Sequence, residues 1–544
     1  MAVRACILVL VLSSAIKGRG RRLQTARRQT QDTLHELVRL LLRGNVTAGW
    51  QVPSAGHGDL ITPPSVSPPR HVRPIAPLPQ SSASVCCCMP PPGMSLLSWK
   101  SAVSETSSDW RDALSDAIKR LSIETSDGRP DLAFLFVPQR WESKLKELAS
   151  VAAYKIAPET LVAVVGSGVI GCGVELDDGE GTISALVGKL PRETEVRPFI
   201  MSGQSLPVWS NLFGSQGQAT VDENGTAAPR PGFLVFADPF SPIRQALPCL
   251  DQQWPASVVA GGLSCPTSES SPSLAIYQAG GEAKVLPRGS LVGIGIRGPN
   301  VEFHSATAQG AMGIGPSYTV TAGRGNVVAA LDGNIPLQQL QEMMSSLFSD
   351  SRGAKLIRQG LMIGVSARAD IDAEDEDGDA SGSSDEEEEF LVRGIFGSTQ
   401  SGGLLIGDEV ASGKTRLRFH IRDEEAAAEE LKLLLARYNL NRQFSGRFAP
   451  TEGQDVPTPM AALCFSCNGR GSNMFSTSER PAHDASAFGS AIGKDVPLAG
   501  FFCNGEIGPI GVSGLSTQSK QTHLHGFTAV FAMLWNTTQT QNIP

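Results

Sequence analysis

Two charged residues of opposite sign follow Asn-Gly turns in the second half of the chain. Each turn comes directly after an apolar run, which places Arg470 and Glu506 at the ends of two predicted strands. Arginine binds a carboxylate through two parallel hydrogen bonds, and a glutamate carboxylate accepts hydrogen bonds from an ammonium group. If the two strand ends lie together, the pair is suited to bind an amino-acid zwitterion. The further candidates for lining this ligand-binding site are Asn468, Asn504, Cys467, Cys503 and His525.

A second interpretation of the same turns stays open. Asn-Gly is favoured in tight turns for its backbone conformation alone. On that interpretation Arg470 and Glu506 are simply solvated, or paired with each other.

Cysteines near these turns raise the question of metal or thiol chemistry. Cys464 and Cys467 form one Cys-x-x-Cys pair, but a zinc site needs four ligands and the other candidates are isolated along the chain. No metal is therefore predicted. A reactive thiol at Cys467 or Cys503 would make the protein a thiol- or amide-directed enzyme, which is our third hypothesis. No Gly-x-Ser-x-Gly motif is present, and a function other than catalysis is favoured.

Two glycine-containing motifs look like nucleotide-binding loops but lack the helix that such loops need. Residues 166–171 read Gly-Ser-Gly-Val-Ile-Gly after a predicted strand, which is the spacing of a dinucleotide-binding turn. Residues 412–415, Ser-Gly-Lys-Thr, resemble the end of a phosphate-binding loop. In both places no helix N-terminus is predicted where the phosphates would have to bind. No cofactor is therefore predicted.

The charges of the chain are concentrated in two segments. Among its 544 residues are 46 Lys or Arg and 54 Asp or Glu, a formal net charge of −8. Residues 370–389 contain twelve acids and no base, whereas the first 31 residues contain seven bases and no acid. The rest of the chain is nearly neutral, and nothing indicates the basic face that nucleic-acid binding requires. A small-molecule ligand or a protein partner is expected instead.

The N-terminal leader has the composition of a targeting peptide. Its apolar run, residues 5–16, is too short to cross a bilayer, and no later run is long enough, so no transmembrane segment is predicted. The basic, acid-free residues 1–31 predict delivery to an organelle, a chloroplast in preference to a mitochondrion. A cytoplasmic or secreted protein is the alternative. Residues 32–95 are rich in proline and predict a disordered linker.

The hydrophobic pattern of the remaining chain predicts an α+β protein. Segments with helix and strand periodicity alternate over residues 97–165 and indicate parallel strands packed under helices. We predict two related modules of mixed β-sheets with flanking helices, at 96–325 and 326–535, preceded by the disordered N-terminal region. The second module contains a disordered acidic insert at 370–389 and is followed by a tail at 536–544.

One pattern recurs in both predicted modules. An apolar strand runs into a turn of Gly, Ser, Cys or Asn, and another strand follows. The pattern occurs at residues 164–168, 258–265, 463–471 and 498–508. Its recurrence indicates a distant duplication.

Several segments resemble the FIST family, named for F-box and intracellular signal transduction proteins. In the second module they are FLVRGIFG (390–397), GLLIGDEVASGKTRLRFHIRD (403–423), LCFSCNGRG (463–471), GFFCNGEIGP (500–509) and LHGFT (524–528). In the first module they are DLAFLFVPQRW (131–141), LVAVVGSGVIGCG (161–173) and VVAGGLSC (258–265). The resemblance extends over residues 97–535.

The resemblance implies a sensory module that binds small molecules, such as amino acids, for intracellular signalling. It also implies an alternative, because some members follow an F-box and recruit substrates for ubiquitin-dependent turnover. Residues 31–43 offer one short helix-like segment, which is too little for an F-box. The ligand-binding function is therefore our first expectation and the protein-interaction adaptor the second.

Overall fold

We describe the protein from a computed structural model. The described residues are 99–123, 128–177, 180–203, 212–213, 229–347, 360–367, 388–444, 457–475, 482–515 and 520–539. The predicted targeting peptide, the Pro-rich linker, residues 370–387 of the acidic insert and the last five residues of the tail lie outside them.

Six α-helices and 25 β-strands lie within these residues. The helices are α1 (Trp110–Leu121), α2 (Leu145–Ile156), α3 (Ile243–Gln253), α4 (Pro336–Leu347), α5 (Glu424–Phe444) and α6 (His483–Ala491). The strands of the first half are β1 (Lys100–Val103), β2 (Leu132–Pro138), β3 (Thr160–Gly166), β4 (Gly168–Gly171), β5 (Val174–Asp177), β6 (Ser184–Gly188), β7 (Glu195–Ser202), β8 (Gly232–Ala237), β9 (Val258–Leu263), β10 (Leu274–Gln278), β11 (Lys284–Val285), β12 (Ser290–Arg297) and β13 (Val301–Gln309). The later strands are β14 (Ala311–Arg324), β15 (Val327–Leu331), β16 (Leu361–Ser366), β17 (Phe390–Ser398), β18 (Leu404–Ile406), β19 (Arg416–Arg422), β20 (Ala461–Cys467), β21 (Leu498–Cys503), β22 (Glu506–Pro509), β23 (Gly511–Ser513), β24 (Thr522–His525) and β25 (Thr528–Asn536).

Three mixed sheets form the larger part of the molecule. The first has the order β1-β6-β2-β3-β10-β11, the second β24-β22-β9-β8-β12-β7 and the third β23-β13-β25-β20-β21-β4-β5. Each sheet contains one parallel pair, namely β2–β3, β8–β9 and β20–β21, while its other pairs are antiparallel. A helix connects the two strands of every pair, which is the usual way to join parallel neighbours. The recurring strand-and-turn pattern of the sequence thus marks three strand–helix–strand units.

The strand that follows each unit along the chain does not join that unit's own sheet but pairs with a strand of another unit. β4 follows β3 along the chain but pairs with β21 in the third sheet. β22 follows β21 but pairs with β9 in the second sheet, and β10 follows β9 but pairs with β3 in the first. The exchange is cyclic, so the three units are related by an approximate threefold arrangement.

The central strands are almost entirely apolar because both of their faces are covered. β2, β20 and β21 are buried at every position. One face of each sheet contributes to a shared core, where Phe136 stacks on Phe501 with ring centroids 5.4 Å apart. The opposite faces are covered by α1 and α2 on the first sheet, α3 on the second, and α5 and α6 on the third.

The chain between β13 and α5 forms a separate barrel. Its six strands close in the order β14-β15-β18-β17-β16-β19, and α4 packs on them through Leu340 and Met344. Ala311, at the start of the barrel, pairs with Arg422 at its end. The two connections between the barrel and the three-sheet body therefore lie side by side.

The predicted α+β class, with mixed sheets and flanking helices, is confirmed. The second and third sheets each contain strands from both predicted modules, that is, from before and after residue 325. The predicted module boundaries stay predictions. Among the helices that the structure describes, none is both long and apolar enough to cross a membrane.

Candidate ligand-binding site

The turns that follow the three parallel pairs meet at one place. The backbone N–H of Ser167 donates to Phe502 O at 3.1 Å, that of Asn504 to Leu263 O at 3.0 Å, and that of Cys265 to Val165 O at 2.8 Å. These bonds form a closed ring, because each unit donates to one neighbour and accepts from the other.

The two Asn-Gly turns are also bonded directly to each other. The Asn468 N–H donates to Cys503 O at 2.9 Å, and the Asn468 side chain donates to Asn504 Oδ1 at 3.3 Å. The cyclic arrangement of the units thus brings together the strand ends from which Arg470 and Glu506 extend.

Arg470 is buried and bound to an acid that the sequence analysis did not identify. Its Nε and Nη2 atoms donate to the Asp484 carboxylate at 2.9 and 2.7 Å. The two side chains are 1% and 0% exposed. Nη1 has no hydrogen-bond acceptor among the described residues.

Asp484 is held from several sides. Ser466 Oγ donates to its Oδ2 at 2.7 Å, and His483 Nδ1 lies 3.0 Å from its Oδ1. It also lies in the first turn of α6, where the positive end of the helix dipole favours an anion. The pKa of Asp484 is lowered, because the charge and hydrogen bonds of Arg470 outweigh the effect of burial.

Two further acids surround this ion pair. Glu175 Oε1 accepts from the Ala485 N–H at 2.9 Å, and Glu430 Oε1 accepts from the Gln309 N–H at 2.9 Å. Burial, and for Glu175 also the charge of Asp484, raises the pKa of Glu175 to about 8, and burial raises the pKa of Glu430 to about 7. Sequence reasoning missed both because they come from β5 and α5, far from the two turns along the chain.

Glu506 lies on the other side of the turns and is fully buried. Its Oε2 accepts from the Thr528 N–H at 3.2 Å and from the Thr528 hydroxyl at 2.8 Å. Its Oε1 has no hydrogen-bond partner of ordinary geometry among the described residues. Burial raises the pKa of Glu506 from 4.5 to about 8, although Thr528, Arg470 and Cys467 each act to lower it.

These contacts change the interpretation of the charged pair. The idea that Arg470 and Glu506 are solvated is wrong, because both side chains are buried. The idea of a two-bond arginine clamp for a ligand carboxylate is also wrong, because Asp484 already occupies that edge of the guanidinium. We name Arg470, Asp484, Glu175, Glu430 and Glu506 the buried polar cluster.

A narrow crevice lies between the barrel and the second sheet, and Phe527 in its wall precedes Thr528, which binds Glu506. Residues that line it include Arg244, Arg393, Phe396, Leu524, His525 and Phe527. Arg393 and Arg244 both bind Asp408, at 2.6 and 2.9 Å, so one carboxylate joins the barrel to α3. The crevice has a volume of about 10 Å³, close to the space that one water molecule needs.

His525 lines the crevice as a neutral side chain. Its Nε2 donates to Gly508 O at 2.8 Å, which leaves Nδ1 as the unprotonated nitrogen. Burial lowers the pKa of His525 to about 3. It can therefore accept a hydrogen bond through Nδ1 but cannot supply positive charge at neutral pH.

The cysteines of the two turns do not have the properties of reactive thiols. Cys467 and Cys503 are buried, and burial raises the pKa of Cys467 to about 12 and that of Cys503 well above its usual range. A catalytic cysteine needs a lowered pKa. The structure therefore argues against the thiol-directed enzyme. No group of three or more metal-binding side chains occurs within the described ranges.

Comparison with known proteins identifies two matching domain models. The FIST N domain model matches residues 131–334, and the FIST C domain model matches residues 337–509. An uncharacterized protein of Mycobacterium tuberculosis is 28% identical over 431 residues, which cover 79% of this chain and 97% of that protein. An uncharacterized protein of Mycobacterium bovis is 28% identical over 429 residues, which cover 79% of this chain and 96% of that protein. Neither name states a ligand or an activity.

Proposed function

The chain belongs to the FIST family, whose domains are associated with sensing in signal transduction, and we propose that it senses a small polar molecule bound at the buried polar cluster. The ligand enters through the crevice and contacts Arg470 and Glu506.

One observation carries this proposal. Arg470 Nη1 is buried and lacks a hydrogen-bond acceptor among the described residues, and the buried Glu506 Oε1 has at most a hydrogen bond from the Cys467 thiol there. Leaving a polar group buried without a partner costs about 1–3 kcal/mol, and more for a charged group. Proteins rarely keep such groups unless a ligand, an ion or water binds them. The two atoms also belong to residues close enough to interact electrostatically.

The wall of the crevice has a strained backbone beside Thr528, the residue that binds Glu506. Phe527, next to Thr528, has a φ of 65°, which an aromatic residue rarely adopts and which costs of order 1 kcal/mol. Strain of this kind is concentrated at ligand clamps and switch segments. A rearrangement of Gly526 and Phe527 would widen the crevice toward Glu506.

The cluster also contacts both connections to the barrel, which offers a route for a signal. Arg422, at the end of the barrel, donates to Gly469 O in the turn that precedes Arg470. Gln309, just before the barrel, donates to Glu430. A ligand that moves Arg470 would therefore act on both connections at once, and a change in barrel orientation is the output that this arrangement favours.

Ligand screening with the full chain tests the proposal. The melting temperature would be measured against a panel of small polar metabolites for the wild type, for Glu506→Leu, which removes both the donor and the acceptor, and for the exposed control Glu282→Leu. We expect at least one compound to raise the melting temperature of the wild type and the control by the same amount, and that of Glu506→Leu by less. Equal shifts in all three proteins for every active compound would rule out this site.

The adaptor hypothesis is supported by a different observation. Leu433, Leu440 and Phe444 lie on the outer face of α5 and are 59%, 52% and 81% exposed. Large apolar side chains at such helical spacing are typical of surfaces that bind a protein partner. Partner capture that is abolished by Leu440→Lys but unaffected by Glu506→Leu would establish this function in place of the sensor.

A further inference from the structure

We propose that the barrel is hinged on the three-sheet body and that an ion bridge from Arg244 latches it shut. The hinge consists of Gly310 and Asp423, the two single-residue connections between the barrel and the body. The latch consists of Arg244, Asp408 and Arg393. This inference concerns the protein without a ligand and does not rest on the proposed function.

The barrel has a hydrophobic core of its own. Its buried apolar side chains, which include Val320, Leu340 and Phe419, pack on one another. Within the described part of the chain, none of them belongs to the apolar clusters of the three sheets. A rotation of the barrel as one unit therefore exposes little of either core and loses little of the apolar burial that stabilises the fold.

The hinge residues lie side by side. They flank Ala311 and Arg422, which pair directly between β14 and β19, so both strands enter the barrel at one place. A further contact lies beside them, because Gln309 Nε2 donates to Phe390 O at 2.7 Å. Hinge motions need only a few residues at the ends of elements to change their backbone angles. Two adjacent connections allow a rotation that leaves the strand pairing of both units intact.

The latch lies on the far side of the barrel from the hinge. In the closed order β14-β15-β18-β17-β16-β19, β18 is three strands away from β19 in either direction. Asp408 follows β18 and accepts from Arg393 Nε of β17 at 2.6 Å and from Arg244 Nη1 of α3 at 2.9 Å. Arg244 Nη2 also donates to Gly407 O at 3.2 Å. The body thus holds the barrel at the side that a rotation about the hinge moves most.

The crevice is the seam that such a rotation opens. Gly394 and Phe396 line it from the barrel, and Leu524 and His525 line it from the second sheet. Its volume of about 10 Å³ means that the two walls nearly touch. Arg244 also lines the crevice, so release of this side chain frees the two walls to separate.

The latch can open without leaving a buried charge unpaired. The side chain of Arg244 is 49% exposed, whereas that of Arg393 is 8% exposed and stays bound to Asp408 when Arg244 is released. An ion pair with a half-exposed partner shifts an equilibrium by about fivefold or less. Arg244 therefore biases the barrel toward the closed position without locking it there.

Distances between spin labels in the ligand-free full chain test the latch. One label pair joins Ser401, in the turn between β17 and β18, to Gln252 on α3. A second pair, Ser401 and Lys414, lies within the barrel. Attachment through non-natural amino acids leaves the natural cysteines unchanged. We expect Arg244→Gln to raise the fraction of long barrel-to-α3 distances by about two- to fivefold and to leave the distances within the barrel unchanged.

Arg129→Gln is the matched control. Arg129 is 44% exposed and binds Glu159 at 3.0 Å within the three-sheet body, so its loss should leave both sets of distances as in wild type. Salt gives a second readout, because it screens exposed ion pairs. Raising the ionic strength from about 0.05 to about 0.5 M should shift wild type toward Arg244→Gln and change that variant little.

Three results would overturn the latch. The first is the same barrel-to-α3 distances in wild type and Arg244→Gln. The second is an equal broadening of the distances within the barrel, because the barrel would then be unfolding and not rotating. The third is an equal response to Arg129→Gln. No ligand is present in these measurements, so a negative result leaves the sensor proposal to its own screening experiment.

Discussion

Arg470 donates two hydrogen bonds to Asp484, at 2.9 and 2.7 Å, where neither side chain is more than 1% exposed. The pair sets the charge of the candidate site and holds the turn after β20 against the N-terminus of α6. Removing one partner of such a buried pair leaves the other as an uncompensated charge.

Asp484→Ala should therefore destabilise the protein by about 3–5 kcal/mol. Urea denaturation followed by fluorescence measures the loss, with Asp495→Asn as the exposed control. A loss below about 1 kcal/mol, the range typical of exposed ion pairs, would contradict the buried geometry.

Glu506 should make the protein less stable as the pH rises. Most acids act in the opposite direction, because folding lowers their pKa. Its pKa is about 8 in the folded protein and 4.5 when unperturbed, so between these values the folded chain holds a proton that the unfolded chain has lost. Stability must then fall as the pH rises from about 4.5 to 8. Glu175 and Glu430 add the same trend.

Replacing Glu506 by glutamine removes its share of this dependence. We expect Glu506→Gln to be more stable relative to wild type at pH 8 than at pH 5, by about 1–3 kcal/mol. Chemical denaturation at the two pH values gives the difference. A difference of zero, or one of opposite sign, would show that the carboxyl group is ionised in the folded protein.

Gly310 is required at the entrance to the barrel because no side chain fits there. A Cβ at this position would lie 2.4 Å from Phe527 O and 2.8 Å from Arg470 Nη1. Gly310→Ala should destabilise the protein by about 1–3 kcal/mol. Gly397 has open space around it, so Gly397→Ala is the matched control. Equal melting temperatures for the two variants would mean that Phe527 and Arg470 leave room for a side chain at position 310.

The turn cysteines should be protected from alkylation. Burial and raised pKa values predict that Cys467 and Cys503 react with iodoacetamide at pH 7.4 only after unfolding. The half-buried Cys172 and Cys249 should react first in the folded protein. Peptide mass spectrometry at increasing reaction times orders the four thiols. Early labelling of Cys467 would restore the thiol-directed enzyme as a hypothesis.

Much of the local structure could be predicted from the sequence. The continuous apolar runs at residues 131–137 and 161–165 predict strands covered on both faces, and they form β2 and β3. The apolar spacing of residues 424–438 predicts a helix, which is α5 and continues to Phe444. The apolar segment 525–535 predicts one last strand, but a turn at Gly526 and Phe527 separates β24 from β25.

The site itself could be predicted only in part. The Asn-Gly turns indicated strand ends, and the structure joins them through Asn468 and Asn504. Asp484 could not be found in this way. It meets Arg470 because α6 packs on the third sheet, and no spacing along the chain indicates that contact. The exchange of strands among three units was hidden for the same reason, as each exchanged strand pairs with residues more than 70 positions away.

The exchange of strands has a consequence for how the chain is made. One edge of β9 pairs with β8, and the other edge pairs with β22, residues 506–509. A ribosome must therefore synthesise nearly the whole chain before the second sheet is complete. Until then the nascent first half exposes an open strand edge, the kind of surface that pairs with other chains and aggregates. A fragment ending near residue 334 would keep that edge permanently, and its solubility should depend on chaperones that the full-length protein needs only during its synthesis.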